Sequence, residues 1–119
     1  MKFTEEHEWL RLEGDLVVVG ITEHAATQLG DIVFVELPEP NDKVSKGDEV
    51  VVIESVKAAS DILAPIDGDI VEVNAALADH PALVNEDPMG KAWIFKMRPS
   101  SMADLDDYMT EAEYKDMIG

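Results

Sequence analysis

A Gly-Asp pair followed by a β-branched run occurs four times within the first 73 residues, and no other feature narrows the fold as much. Gly14-Asp15-Leu16-Val17-Val18-Val19 is echoed by Gly30-Asp31-Ile32-Val33-Phe34-Val35 and by Gly47-Asp48-Glu49-Val50-Val51-Val52. It returns as Gly68-Asp69-Ile70-Val71-Glu72-Val73. Glycine tolerates positive φ, so each pair reads as a turn and the run behind it as a strand. Short strands divided by regular turns make a β-sandwich or barrel. The copies are too short and too unevenly spaced for a solenoid. The first copy predicts a hairpin with Trp9-Leu10-Arg11-Leu12-Glu13, and all six prolines lie outside the strong β runs, as strand pairing requires.

Few helices are expected. Thr22 can cap a short one over Glu23–Leu29, with Gly30 placed to end it. Near the C-terminus, Ser101 with Asp104 and Thr110 with Glu113 stand at capping-box spacing. A helical segment over about 101–117 would put Leu105, Tyr108 and Met109 on one face, covering the sandwich as an amphipathic tail. The whole chain, 1–119, reads as one mainly β domain.

Composition excludes several function classes. The chain has no cysteine, which rules out disulfides, thiolate metal sites and catalysis by a protein thiol. Any sulfur chemistry must come from a cofactor. The formal net charge of −17 argues against nucleic acid, which needs basic clusters, and disfavours anionic membranes. Such a charge is either a solvated surface or a field steering toward basic partners, and the two are compatible. No apolar run approaches the roughly 18 residues of a membrane span. The acidic start Met1-Lys2-Phe3-Thr4-Glu5-Glu6 has no apolar stretch of a signal peptide, so a cytoplasmic monomer is expected. His7, His24 and His80 show neither i,i+4 pairing nor zinc spacing, and no catalytic triad or phosphate-binding glycine loop stands out. No metal and no catalytic residue is assigned.

Lys57 is the only lysine or arginine between Lys46 and Lys91. It lies between two apolar runs, in Val50-Val51-Val52-Ile53-Glu54-Ser55-Val56-Lys57-Ala58-Ala59-Ser60-Asp61-Ile62-Leu63, and small residues follow it. Gly47 precedes it by ten residues and Gly68 follows it by eleven, so a hairpin over about 47–73 would carry Lys57 at its tip. Three readings remain open. An ordinary surface lysine is the default, since tip geometry is not itself a function. A catalytic amine would need an apolar pocket or a neighbouring cation to depress its pKa, whereas Glu54 and Asp61 favour the charged form. The third is a lysine offered to a modifying enzyme.

The segment Glu54-Ser55-Val56-Lys57-Ala58-Ala59-Ser60-Asp61 closely resembles the lipoylation segment of glycine cleavage H proteins. His7-Glu8-Trp9, Val19-Gly20-Ile21-Thr22 and Gly30–Glu39 are similar to that family's earlier motifs. Ala64-Pro65-Ile66-Asp67-Gly68, Asn74 with Leu77, Val84-Asn85-Glu86-Asp87-Pro88, Trp93 and the Tyr114 helix continue the likeness. It covers nearly the whole chain in order. Biotinyl domains usually place Met on both sides of the modified lysine, where this chain has Val56 and Ala58. Lipoyl domains of 2-oxoacid dehydrogenases usually have Asp before it.

The resemblance implies a lipoyl/biotinyl-type barrel-sandwich hybrid with a short internal helix and a C-terminal helical tail. It implies lipoate joined by an amide to Lys57, as N6-lipoyllysine. The arm would take an aminomethyl group from glycine at a pyridoxal-phosphate-dependent decarboxylase. An aminomethyltransferase would then remove it, and dihydrolipoyl dehydrogenase would reoxidise the dithiol. A lipoyl-attaching enzyme is a further partner, and the chain itself would be a carrier, not an enzyme. By position, Glu8 and Asp61 are candidates to contact the protonated amine in a sheltering cleft, beside Glu6 and Gln28. The rival readings are a lipoyl shuttle for another pathway and an unmodified acidic binding module.

Overall fold

The expected hairpin opens the fold. Strand β2 (Glu8–Glu13) pairs antiparallel with β3 (Leu16–Ile21), from Glu8↔Ile21 to Glu13↔Leu16, around Gly14 at φ 64°. The computed structural model describes residues 1–101, 105 and 108–119. Among these, β1 is Lys2–Phe3, β4 Ile32–Glu36, β5 Lys43–Val44, β6 Glu49–Ser55, β7 Ala59–Leu63, β8 Gly68–Val73 and β9 Phe95–Pro99. Helices are α1 (Glu23–Leu29), α2 (Ala76–Asp79), α3 (Leu83–Glu86) and α4 (Glu111–Ile118). One sheet has the order β1-β2-β3-β9-β8-β5, the other β4-β6-β7.

Strand β3 explains why its sequence is continuously apolar instead of alternating. Val17, Val19 and Ile21 join the core shared with Val35, Val51, Ile53 and Ile62 of the smaller sheet. Val18 points the other way, into a second cluster with Phe3, Trp9 and Tyr114. A strand covered on both faces has no polar side to present. Tyr114 reaches that cluster from α4, stacking on Phe3 with ring centroids 4.8 Å apart.

Several expectations need correcting. The Gly-Asp pairs are not equivalent: Gly14, Gly30 and Gly47 have positive φ, but Gly68 does not. A Cβ on Gly68 would collide with the Arg98 carbonyl oxygen of the paired strand β9, so its lack of a side chain is what matters. The two glycines flanking Lys57 therefore do not close one symmetric hairpin over 47–73. The hairpin is β6–β7, and β8 leaves for the larger sheet. Within the helical tail expected over 101–117, residues 108–110 are not helical. Met109 exchanges two backbone hydrogen bonds with Phe3, at 2.8 and 3.0 Å, and this β-bridge holds the chain extended there. Helix α4 begins only at Glu111, with both halves of the Thr110–Glu113 capping box formed. Leu105 is buried and Tyr108 half-buried, while Asp104 of the Ser101–Asp104 cap signal lies outside the described residues.

Helix α1 has the expected bounds, with the Thr22 hydroxyl accepting from Ala25 N and Gly30 as C-cap. The single-turn helices α2 and α3 follow Ala75 and Ala82, which offer no capping side chain, although Asn74 Oδ1 accepts from Ala76 N at the start of α2. Among the described residues no helix is long and apolar enough to cross a membrane.

Gly20 stands opposite Trp9, whose indole lies where a Cβ on Gly20 would be, and Trp9 Nε1 donates to the Pro88 carbonyl at 2.9 Å. Gly20→Ala should push the indole off that carbonyl and cost about 1–3 kcal/mol. Thermal unfolding monitored by tryptophan emission measures it, and an unchanged midpoint with unchanged emission would contradict this packing.

Candidate functional site

The β6–β7 turn is built around one hydroxyl. Ser55 Oγ accepts from the backbone N–H of Lys57 at 3.2 Å and of Ala58 at 3.1 Å, and donates to the Ala58 carbonyl at 3.1 Å. Ser55 N donates to the same carbonyl at 2.8 Å. A single short side chain thus satisfies two of the turn's backbone N–H groups, which would otherwise fray. Lys57 stands exposed on this turn.

The turn is tied to the body from one side. Val56 N donates to the Asp31 carbonyl at 3.1 Å, joining the tip to the loop between α1 and β4. Asn85 of α3 clamps that loop: its amide donates to the Gly30 carbonyl at 2.7 Å, and its oxygen accepts from Ile32 N at 2.9 Å. The Lys57 stem lies over Gly30, where an added Cβ would come within 2.9 Å of Lys57 Cε. Among the described residues Lys57 Nζ has no hydrogen bond or ion pair. The arrangement is a fixed base with an uncommitted amine.

At the other end of β7 the two candidate carboxylates occupy different environments. Glu8 is only 2% exposed. One carboxylate oxygen accepts from Leu63 N at 3.1 Å, the other from the Thr4 hydroxyl at 3.3 Å. Burial raises its pKa to about 7, against the lowering effect of those two donors. Asp61 is exposed, two residues before Leu63 on the same strand. Glu8, with Thr4, Glu6, Lys46 and Leu63, lines a cleft of about 350 Å³, and Asp61 is not part of its wall. The strand rise sets Asp61 roughly 7 Å and Leu63 roughly 13 Å along β7 from Ala59, its first residue after the turn. Gln28 lies away from this cleft, 3.1 Å from His24 on α1.

The scattered histidines hide a contact invisible in their spacing. His7, at φ 66°, brings Nδ1 to 2.8 Å from the Tyr114 hydroxyl, which is 2.7 Å from Thr22 Oγ1. The His7 and His24 rings meet at 4.9 Å. Burial first, and His24 second, lower the His7 pKa. Among the described residues no cluster of three potential metal ligands forms. This network joins the N-terminal motif, the α1 cap and α4, and it lies away from the tip.

The family model for the glycine cleavage H-protein matches residues 1–119. The glycine cleavage system H proteins of Acinetobacter baumannii strains AYE, SDF and ACICU are each 52% identical over 115 residues, 97% of this chain and 93% of theirs. The crystal structure of a glycine cleavage system H protein from Mycobacterium marinum superposes with a TM-score of 0.90 at 40% identity, covering 99% of this chain and 95% of that one. The barrel-sandwich architecture with its C-terminal helix is therefore the one expected.

Two measurements follow from this geometry. Asn85→Ala removes both bonds to the 30–32 loop and should cost about 1–3 kcal/mol, since each is worth roughly 0.5–1.5. Amide exchange at Val56 should quicken more than at β3, and uniform exchange would mean the clamp does not reach the tip. Glu8 holds its proton more tightly in the folded chain than in the unfolded one. Its contribution to stability is complete below about 4.5 and is lost as pH rises to about 7, on the order of 3 kcal/mol. Glu8→Gln should abolish that slope in urea unfolding, so the variant's advantage grows across this window and is flat above it.

Proposed function

The chain belongs to the glycine cleavage H-protein family, and from that premise we propose that Lys57 is the residue to which lipoate is joined. The chain is a lipoyl carrier of glycine cleavage and not itself an enzyme. One observation supports Lys57 above all: its amine is exposed, without a partner among the described residues, on a turn that Ser55, Asp31 and Asn85 hold in place. An ordinary surface lysine needs no such base.

Carriage engages the other components of glycine cleavage. In this reading they are a pyridoxal-phosphate-dependent decarboxylase, an aminomethyltransferase and dihydrolipoyl dehydrogenase, with a lipoyl-attaching enzyme acting beforehand. Lipoate, amide-linked to Lys57, supplies the dithiolane that carries the aminomethyl group of glycine between them. The absence of cysteine suits the role, because no protein thiol can trap that disulfide by exchange.

The chain's own residues do three things here. Ser55 and the Asp31 carbonyl fix the direction in which Lys57 leaves the hairpin. Asp61, exposed along β7, offers a carboxylate to the protonated amine of the carried group. Glu8, at the cleft beyond it, offers a second acceptor, and a cation beside it would favour its ionised form and draw its raised pKa down.

Lys57→Arg should abolish both the lipoyl mass increment and support of glycine decarboxylation. A guanidinium of very high pKa is a poor nucleophile. Stability should change by no more than about 0.5 kcal/mol at this exposed position. Intact-mass and peptide mass spectrometry of the chain from lipoate-replete cells decide it: a lipoyl group on another lysine, or turnover by the variant, would overturn the assignment. The paired change Glu8→Gln with Asp61→Asn should leave attachment intact and release the carried one-carbon unit and ammonia several-fold faster from loaded, isolated protein. An unchanged release rate would remove both carboxylates from the cleft role.

A further inference from the structure

Six large apolar side chains are exposed among the described residues, and three of them, Val33, Phe34 and Val56, lie on the β6–β7 turn or on the β4 strand paired beside it. Their exposures are 54%, 48% and 67%. Val33 and Phe34 are consecutive, so simple strand alternation would turn one of them inward. The register of β4 against β6 shifts between Ile32 and Phe34, and this bulge buries Ile32 and Val35 while leaving both residues between them in solvent. A bulge at a sheet edge re-aims side chains, and here it re-aims Phe34 away from the core. Phe34 sits opposite Glu54, Ile32 opposite Ser55, and Val56 N is bonded to the Asp31 carbonyl. The three apolar groups thus lie beside the turn that bears Lys57.

The surroundings are of one sign. Asp31, Glu36, Glu54 and Asp61 are exposed around the patch, and Lys57 is the only lysine or arginine from residue 47 to residue 90. A complementary surface is an apolar pit with a basic rim.

We propose that Val33, Phe34 and Val56 form the docking patch for the enzyme that attaches lipoate to Lys57. The proposal rests on the carrier reading above. Its argument is one of reach. Attachment joins Nζ to the carbonyl carbon of an activated lipoyl ester; the activating group leaves with its electron pair, and the amine gives up a proton. The attaching enzyme must therefore close around Nζ itself and cover whatever surrounds the turn. Enzymes acting at the dithiolane meet the far end of the arm and need not touch the patch.

The test uses the unmodified full chain with a purified lipoate ligase, lipoate and ATP, following the mass increment with time at sub-saturating chain. Phe34→Ser and, separately, Val56→Ser should each slow attachment about tenfold, mainly through a higher KM, as truncation of a central apolar contact does. Leu12→Ser, at an equally exposed apolar side chain on β2, is the control and should attach at the wild-type rate. Val56 is the more exposed of the two, so its variant tests the idea even where Phe34→Ser folds poorly. Once driven to full lipoylation, the patch variants should support glycine decarboxylation as wild type does. Wild-type attachment rates in both patch variants, or an equal slowing by Leu12→Ser, would overturn the proposal. A loss of turnover that persists after full lipoylation would also overturn it, because the patch would then serve the cleavage enzymes. Failure of the wild-type chain to accept lipoate at Lys57 would overturn the carrier reading first, and this proposal with it.

Discussion

Strand β3 is buried on both faces, and both hydrophobic clusters meet across it. Val17, Val19 and Ile21 face the smaller sheet, whereas Val18 faces Trp9 and the α4 side. Its neighbours β2 and β9 hydrogen-bond to its two edges, so it joins the N-terminal hairpin to the β9–β8 half of the larger sheet. Removing water from both sides of one strand is where a chain of this size gains most of its stabilisation per residue. The β6–β7 hairpin is attached to that body through its inward residues Val51, Ile53 and Ile62.

The outward end of the hairpin follows a different logic. Little apolar surface is buried at the turn, so packing cannot fix it, and hydrogen bonds do so instead. Ser55 closes the turn, the Asp31 carbonyl holds Val56 N, and Asn85 steadies the loop that carries Asp31. Each such bond is worth little alone, but together they hold the base of a side chain whose amine has no polar partner among the described residues. A carrier needs this division: a rigid base so that the lysine is found, and an uncommitted amine so that it can be modified and can swing. The exposed apolar residues beside it cost solubility in principle. The dense negative charge around them offsets that cost.

Glu8 shows a third regime. Its neighbours in sequence, His7 and Trp9, give no hint that it is buried, and its two donors come from Thr4 and the distant Leu63. A carboxylate with a pKa of about 7 beside a cleft is poised to be neutral or charged according to what lies next to it.

Local chemistry made much of this legible in the chain itself. The β2–β3 hairpin follows from Gly14-Asp15 between two apolar runs, and the bounds of α1 from Thr22 and Gly30. The start of α4 follows from Thr110 and Glu113, because turns and caps are decided by residues within four positions of one another. The isolation of Lys57 between two strands was equally plain. Tertiary structure alone decided the rest. The Asn85 clamp, the Glu8–Leu63 bond and the His7–Tyr114 contact join residues 53 to 107 positions apart. The β4 bulge and the Met109–Phe3 bridge depend on what the opposing strand offers. Hydrogen-bond partners and desolvation are set by neighbours in space, and a periodic pattern records only which side of the chain is apolar.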